Sequence, residues 1–433
     1  MTTTLAATAA LPSAASGRDR AIDFVRALCI IGVVVLHAMM VGVGVGDAGP
    51  SFVNASDGTW WIVPLSWVLQ VMPLFFVIGG FSGATAFRRA RARGRDGVAF
   101  VAGRVHRLLL PAIVTIATAG ALLAGLAAAG VAPDLVALAG FRFAQPLWFL
   151  GVFLVCQALL PSLLRLHERA AVPTIGVLAS AAVAVDVVRI ASGVEGLGFL
   201  NLAFVWLTLQ QVGFFLADGS IDALSRRTRW TAAAAAVAGL AVSFASGIHS
   251  PDLVANINPP TTALLLVGVV HTALFSLFRG PLAEVAVRRG SAAVTRFVTP
   301  RAMTIYLWHM PVLLCLAGLS AAGAMLTGIP LPAIDGGWWW LTRPAWLAIA
   351  LAATAVVAWW LGRVESAAAP ASSRSAWRVG GAVLAGTTAI ALLLIAGTDT
   401  GTALVAVALL AGALRLARQP ARRVRAAARP ALA

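Results

Sequence analysis

Residues 18–45 read RDRAIDFVRALCIIGVVVLHAMMVGVGV, and this stretch decides how the rest of the chain is read. It is an apolar run long enough to cross a bilayer, whose ~30 Å hydrocarbon core takes about 20 helical residues. Yet it carries Arg26 near its start and His37 in its middle. At ~1.5 Å and ~100° per residue, the offset of eleven is about 16 Å and three turns plus about 20°. The two side chains therefore share one helix face, with Arg26 near one surface and His37 expected at mid-depth. Ionisable groups inside a span are costly and mark functional sites by default. A charge at the edge and a titratable imidazole further in, on one stripe, read as a polar path into the membrane. The competing reading is a signal-anchor helix with one hydrogen-bonded histidine.

The chain around this stretch is 433 residues long, 60% hydrophobic and only 11% charged. That composition excludes an ordinary soluble domain and indicates a multi-span membrane protein. Twelve apolar runs follow one another, from 22–46 to 401–416. They are too long for barrel strands, and only helices satisfy their own backbone in lipid. The expected fold is an all-α polytopic helix bundle of about ten core spans plus a C-terminal pair. Residues 1–17 read as a disordered cytoplasmic tail without the basic and apolar regions of a signal peptide. Residues 18–362 read as the ten-span domain, 363–417 as the helical pair and 418–433 as a basic tail.

The net charge is +16, and all 32 basic residues are arginine. Such basicity can mean nucleic acid, but these arginines sit in short loops between spans, where they set topology. The even-numbered loops and the termini hold 29 of them; the odd-numbered loops hold Arg142, Arg189 and Arg343. That asymmetry predicts a multi-pass protein of the cell membrane with both termini inside. Trp60, Trp61 and Trp338 to Trp340 read as interface anchors at the outer surface. Residues 281–298 mix apolar and basic positions and read as a helix on the inner leaflet. Cys29, Cys156 and Cys315 stand far apart in apolar runs, with neither metal nor disulfide spacing.

Four groups of residues carry the chemistry. Asp23 lies one turn before Arg26 and can hold its guanidinium. The run PLFFVIGGFSGA, Pro73 to Ala84, supplies phenylalanine bulk and glycines that let helices or an acyl chain approach closely. Arg104 and Arg107 share a helix face at the opening of the third span, which suits phosphates as well as plain topology. Tyr306 and His309 share a face in YLWHMP, Tyr306 to Pro311. Elsewhere, Asp186 and Arg189 read as a structural pair. Gln70, Gln157, Gln210, Gln211 and His271 either line a cavity or bridge helices.

Taken together, these motifs resemble the membrane-bound acyltransferase-3 family between about Asp19 and Trp360. Arg26-x10-His37 is similar to its first-span basic-x10-His signature, and Arg104-x-x-Arg107 to its second basic motif. Pro73 to Phe81 resembles its PLFF stretch, with Gly79 where a serine is usual. PLWFL, Pro146 to Leu150, and YLWHMP are also similar to family landmarks. The resemblance implies transfer of an acyl group, often acetyl, from cytoplasmic acyl-CoA to a hydroxyl on a cell-envelope glycan, a lipid or a small molecule. The residues fit this independently: histidine suits a base near neutral pH, and arginines suit a donor's phosphates. His37, Arg26, His309 and Tyr306 are the candidate catalytic residues. Arg104, Arg107 and Arg26 are the candidate acyl-CoA contacts. No metal and no nucleic acid are expected; the partners are the bilayer, acyl-CoA and the acceptor. A transporter or flippase would share the span count and the buried ionisable residues, but the two halves show no sequence symmetry.

Overall fold

The computed structural model describes residues 19–47, 49–368 and 370–419. The tail expected at 1–17, Arg18 and all but the first two residues of the basic tail at 418–433 lie outside the described residues. The protein is an all-α bundle, with a single two-stranded ribbon among the described residues.

Helix α1, Arg20–Met40, starts where Asp19 accepts the Ile22 N–H at 3.0 Å, an N-cap that satisfies an otherwise orphaned donor. It ends six residues earlier than the hydropathy of 22–46 suggests. Val41–Gly46 is strand β1, paired antiparallel with β2, Gly49–Asn54, from Val41 opposite Asn54 to Gly46 opposite Gly49. The cause is local: VGVGVG alternates β-branched valine with glycine, both poorer helix formers than the leucine and alanine before them. His37 therefore stands in the last turn of α1, not in the middle of a longer helix.

The second expected span breaks at Gln70 and Val71 into α2, Ile62–Leu69, and α3, Met72–Ala92. Helix α4, Gly97–Ala128, begins eleven residues before the apolar run at 108. Arg104 and Arg107 thus lie two to three turns inside it rather than at its mouth. After α5, Pro133–Ala144, helix α6, Trp148–Ser192, contains a break at Ala170 (φ −154°, ψ 67°). The halves, 148–169 and 171–192, carry the fourth and fifth spans. Then come α7, Asn201–Ala217; α8, Ser220–Ala223; α9, Arg226–Ala245; and α10, Ala263–Ala286. Residues 281–286 continue α10, so the amphipathic helix expected over 281–298 is only α11, Arg289–Val298. It is followed by α12, Ala302–Thr327; α13, Gly337–Glu365; α14, Ala376–Ala396; and α15, Thr400–Ala417.

Ten segments among the described residues are long and apolar enough to cross a membrane. One of them, Pro133–Ser192, runs through the Ala170 break, and α9 is not among them. The core is mainly apolar, with buried polar residues such as Gln70, His167, Asp186 and His309 set into it. Close approach is set by glycine: a Cβ on Gly80 would collide with the backbone of Gln210, and one on Gly213 with that of Val77. The glycines of the PLFF stretch thus bring α3 onto α7. Two of the expected interface tryptophans turn inward: Trp61 and Trp339 are each 2% exposed and pack on one another, with centroids 5.8 Å apart. Helix α1 packs against α3, α10, α11, α12 and α13, so its stripe faces protein.

Candidate active site

The two nominated histidines, far apart in sequence, meet. The rings of His37 on α1 and His309 on α12 stand edge to face with centroids 4.9 Å apart. His37 Nδ1 lies 2.8 Å from the Val33 carbonyl, one turn back. His309 Nδ1 lies 2.5 Å from the Tyr306 carbonyl. A carbonyl only accepts, so each Nδ1 carries the hydrogen and each Nε2 presents its lone pair. His309 is fully buried, and its Nε2 has no hydrogen-bond partner among the described residues. His37 Nε2 likewise makes no hydrogen bond among them. A buried polar atom without a partner is uncommon and costly, and such atoms collect at functional sites.

Tyr306 takes a different part from the one its face suggests. Its hydroxyl donates to the Pro146 carbonyl, and its ring lies edge to face with Phe149, at 4.8 Å. A buried phenol needs such a partner. The YLWHMP and PLWFL stretches are thereby joined, and Tyr306 holds His309 in place through its own backbone oxygen rather than offering a free hydroxyl.

Below this pair, Arg26 is held from two sides. Asp23 Oδ1 accepts from its Nη1 at 3.1 Å, and the Ser82 hydroxyl accepts from its Nη2. Ser82 is a partner the sequence alone does not single out. Gly79, three residues before Ser82, is packed under Phe153. Arg104 lies with its guanidinium 4.9 Å over the Phe100 ring, within the electrostatic reach of Arg107 and Arg26. Arg107 is exposed. Among the described residues neither Arg104 nor Arg107 makes an ion pair. Arg104 is thus electrostatically linked to both Arg107 and Arg26, and Arg26 itself lies about 16 Å along α1 from His37.

On the far side of His37, the Ala38 carbonyl in the last turn of α1 accepts from Trp346 Nε1 at 3.0 Å and Arg343 Nη1 at 3.4 Å. Arg343 also stacks on Trp339, 3.9 Å from the ring centroid. A cation is favourable at a helix C-terminus. Arg343 was legible only as one of the three arginines that break the charge asymmetry.

Some of the remaining polar residues bridge helices, whereas His271 lines an apolar cavity with Leu74, Phe275 and Phe278. Asp186 accepts from Asn201 Nδ2 at 3.1 Å and from the Thr262 N–H and hydroxyl, both at 2.7 Å. Gln70 donates to the Leu253 carbonyl at 2.6 Å, and Gln211 contacts His167. A cleft of about 450 Å³ opens between α4, α6 and α14, lined by Val98, Val101, Pro161 and Val379 with Asp96 and Arg165 at its polar side; it holds none of the nominated residues. Among the described residues there is no cluster of three or more metal-ligating side chains.

No curated protein and no solved structure matches the chain at a significant level. The family model for the acyltransferase domain of family 3 does match, over residues 19–363. That span contains Arg26, His37, Arg104, Arg107, Tyr306 and His309, and it is most of the chain. With its helices long and apolar enough to cross a membrane, the protein belongs to acyltransferase family 3.

Proposed function

We propose that this acyltransferase moves an acetyl group from cytoplasmic acetyl-CoA to a hydroxyl of a cell-envelope glycan or lipid, with His37 as general base. One observation carries the reading: His37, with Nδ1 on the Val33 carbonyl and no hydrogen bond at Nε2 among the described residues, stands at one end of a helix whose other end holds Arg26, within the electrostatic reach of Arg104. Bound at Arg104 and Arg107, the donor's phosphates leave the pantetheine arm free to run along the Arg26 face. That arm has the length of about four extended peptide residues, roughly 14 Å, which matches the rise from Arg26 to His37. Nε2 takes the proton of the acceptor hydroxyl as its oxygen attacks the thioester carbonyl. The carbon–sulfur bond breaks, and the imidazolium returns the proton to the leaving thiolate, giving an ester and free CoA. His309, edge-on to His37, keeps that ring's orientation and polarises its surroundings. The asymmetry of 29 arginines against 3 supports a cell-membrane protein with both termini inside, which puts the arginine cluster on the side where acyl-CoA is made.

The reading is tested with acetyl-labelled acetyl-CoA and envelope membranes containing the protein. Alkali-labile label should appear in an envelope fraction, with release of stoichiometric CoA thiol. Release of thiol without label in any acceptor, or no consumption of acetyl-CoA above membranes lacking the protein, would defeat it.

A further inference from the structure

The family match stops at residue 363, so α14 and α15 lie beyond it. Their ends are tied together by main-chain pairing. Ser373 N–H donates to the Ala417 carbonyl and Gln419 N–H to the Ala371 carbonyl, each at 2.8 Å, with Ser372 opposite Arg418 in an antiparallel bridge. Arg378 Nη2 donates to the carbonyls of Arg415 and Arg418, at 3.0 and 3.3 Å. The Arg378 charge is thereby used on the C-terminal carbonyls of α15. The Arg418 guanidinium is exposed and makes no ion pair among the described residues.

This clasp rests on the turn of α4 that carries the arginine pair. A Cβ placed on Gly103 would lie 3.8 Å from Arg95 Nη2 and 3.9 Å from Ser372 Oγ. The charge of Arg418 bears on His106. Gly103 directly precedes Arg104, and His106 directly precedes Arg107. Three segments distant in sequence thus meet around one turn of one helix. They bring Arg95, Ser372 and Arg418 to the turn that carries Arg104 and Arg107; none of these four arginines makes an ion pair among the described residues, and Glu365 is a carboxylate whose charge bears on Arg107. Unpaired like charges repel, and solvent screening only weakens that cost. A polyanion removes it. Arg104 stacks on Phe100 within the electrostatic reach of Arg26, whereas Arg95 lies beside Ser372 of the clasp and Arg418 is part of it.

We infer that the C-terminal helical pair completes the donor site, with Arg418 and Arg95 binding the 3′-phosphate of acyl-CoA while Arg104 and Arg107 take its diphosphate. The inference rests on the acyl-CoA reading above and extends it to residues outside the family region. An anionic lipid headgroup offers the same phosphate chemistry, so the test is made in zwitterionic nanodiscs with soluble ligands.

Binding of acetyl-CoA and of 3′-dephospho-acetyl-CoA is measured on the full chain and on Arg418→Gln, Arg95→Gln, Arg418→Lys and Arg104→Gln. Losing a charge-assisted contact to phosphate should weaken acetyl-CoA about tenfold in each of the first two variants. Dephospho-acetyl-CoA should be unaffected by them, Arg418→Lys should keep most of the affinity, and Arg104→Gln should weaken both ligands. An unchanged preference for acetyl-CoA in Arg418→Gln and Arg95→Gln, with Arg104→Gln impaired, overturns the inference and leaves the donor reading standing. The same result accompanied by loss of binding of a soluble short-chain phosphatidic acid assigns Arg418 to headgroups and also overturns it. No binding of acetyl-CoA to the unaltered chain removes the donor reading and the inference with it.

Discussion

Two of the histidine clusters inside this bundle, one around the buried His167 and one pairing the half-buried His37 with the buried His309, are built on opposite plans. His167, 5% exposed, has both ring nitrogens engaged: Gln211 Nε2 lies 2.8 Å from Nδ1, and Asp218 Oδ2 lies 2.8 Å from Nε2. His37 and His309 each have only Nδ1 engaged, by a carbonyl on their own helix; His309 Nε2 is buried without a partner among the described residues, and Nε2 of the half-buried His37 makes no hydrogen bond among them. A fully satisfied buried polar group holds structure together. One left half-satisfied carries a desolvation cost that only a ligand or a proton relieves. His167 and His309 are alike in burial; the second ring nitrogen is what distinguishes them.

The largest effect expected from this difference is on catalysis. His37→Ala should lower acetyl transfer by about 10²–10⁴, the usual cost of a lost positioned base, with the protein still folded and membrane-inserted. His309→Gln keeps a polar group beside His37 and should cost less, about tenfold, through loosened geometry. Steady-state kinetics on both variants would break the comparison if His309 proved the more damaging position. His167→Asn should leave the transfer rate per folded molecule unchanged. It should lower stability instead, by about 1–3 kcal/mol, since Asp218 and Gln211 lose a buried partner; unfolding in detergent would measure this.

The same cluster has a pH signature. Burial raises the Asp218 carboxyl, but its hydrogen bonds from Ser220 and His167 outweigh that, and its pKa lies below the ordinary carboxylate value. A lowered pKa contributes stability that is full above the unfolded-state value and is lost as pH falls through the folded-state value. Unfolding midpoints of the unaltered chain should therefore drop in mildly to strongly acid buffer more than those of His167→Asn. Parallel curves would show that the pairing adds nothing.

Much of this was legible beforehand, for physical reasons. Lipid forces long apolar helices, so the spans show in hydropathy, and charge patterning orders them. The Arg26-to-His37 spacing is fixed by helix geometry and needs no tertiary information. The end of α1 was also written locally, in the alternation of Val41 to Gly46, but the apolarity of valine hides a strand inside a hydropathy window. The start of α4 was hidden for the opposite reason: an arginine-rich turn can be helical without being apolar. Contacts across the bundle were out of reach. Nothing near Ser82 announces that it meets Arg26, and nothing in YLWHMP announces that its tyrosine reaches Pro146 rather than a cavity. Ser372 and Arg418 meet only because α14 and α15 form a hairpin.

The central claim is that His37 Nε2 removes the acceptor's proton, and His37→Gln tests it most directly. Glutamine restores a hydrogen-bonding side chain but accepts no proton near neutral pH. Single-turnover transfer from labelled acetyl-CoA and the acetyl-CoA dissociation constant would be measured in the same membranes. The account expects an unchanged dissociation constant with transfer reduced at least a hundredfold, as in His37→Ala. Near-normal transfer by His37→Gln, with His309→Gln inactive, would contradict it and give the proton to His309.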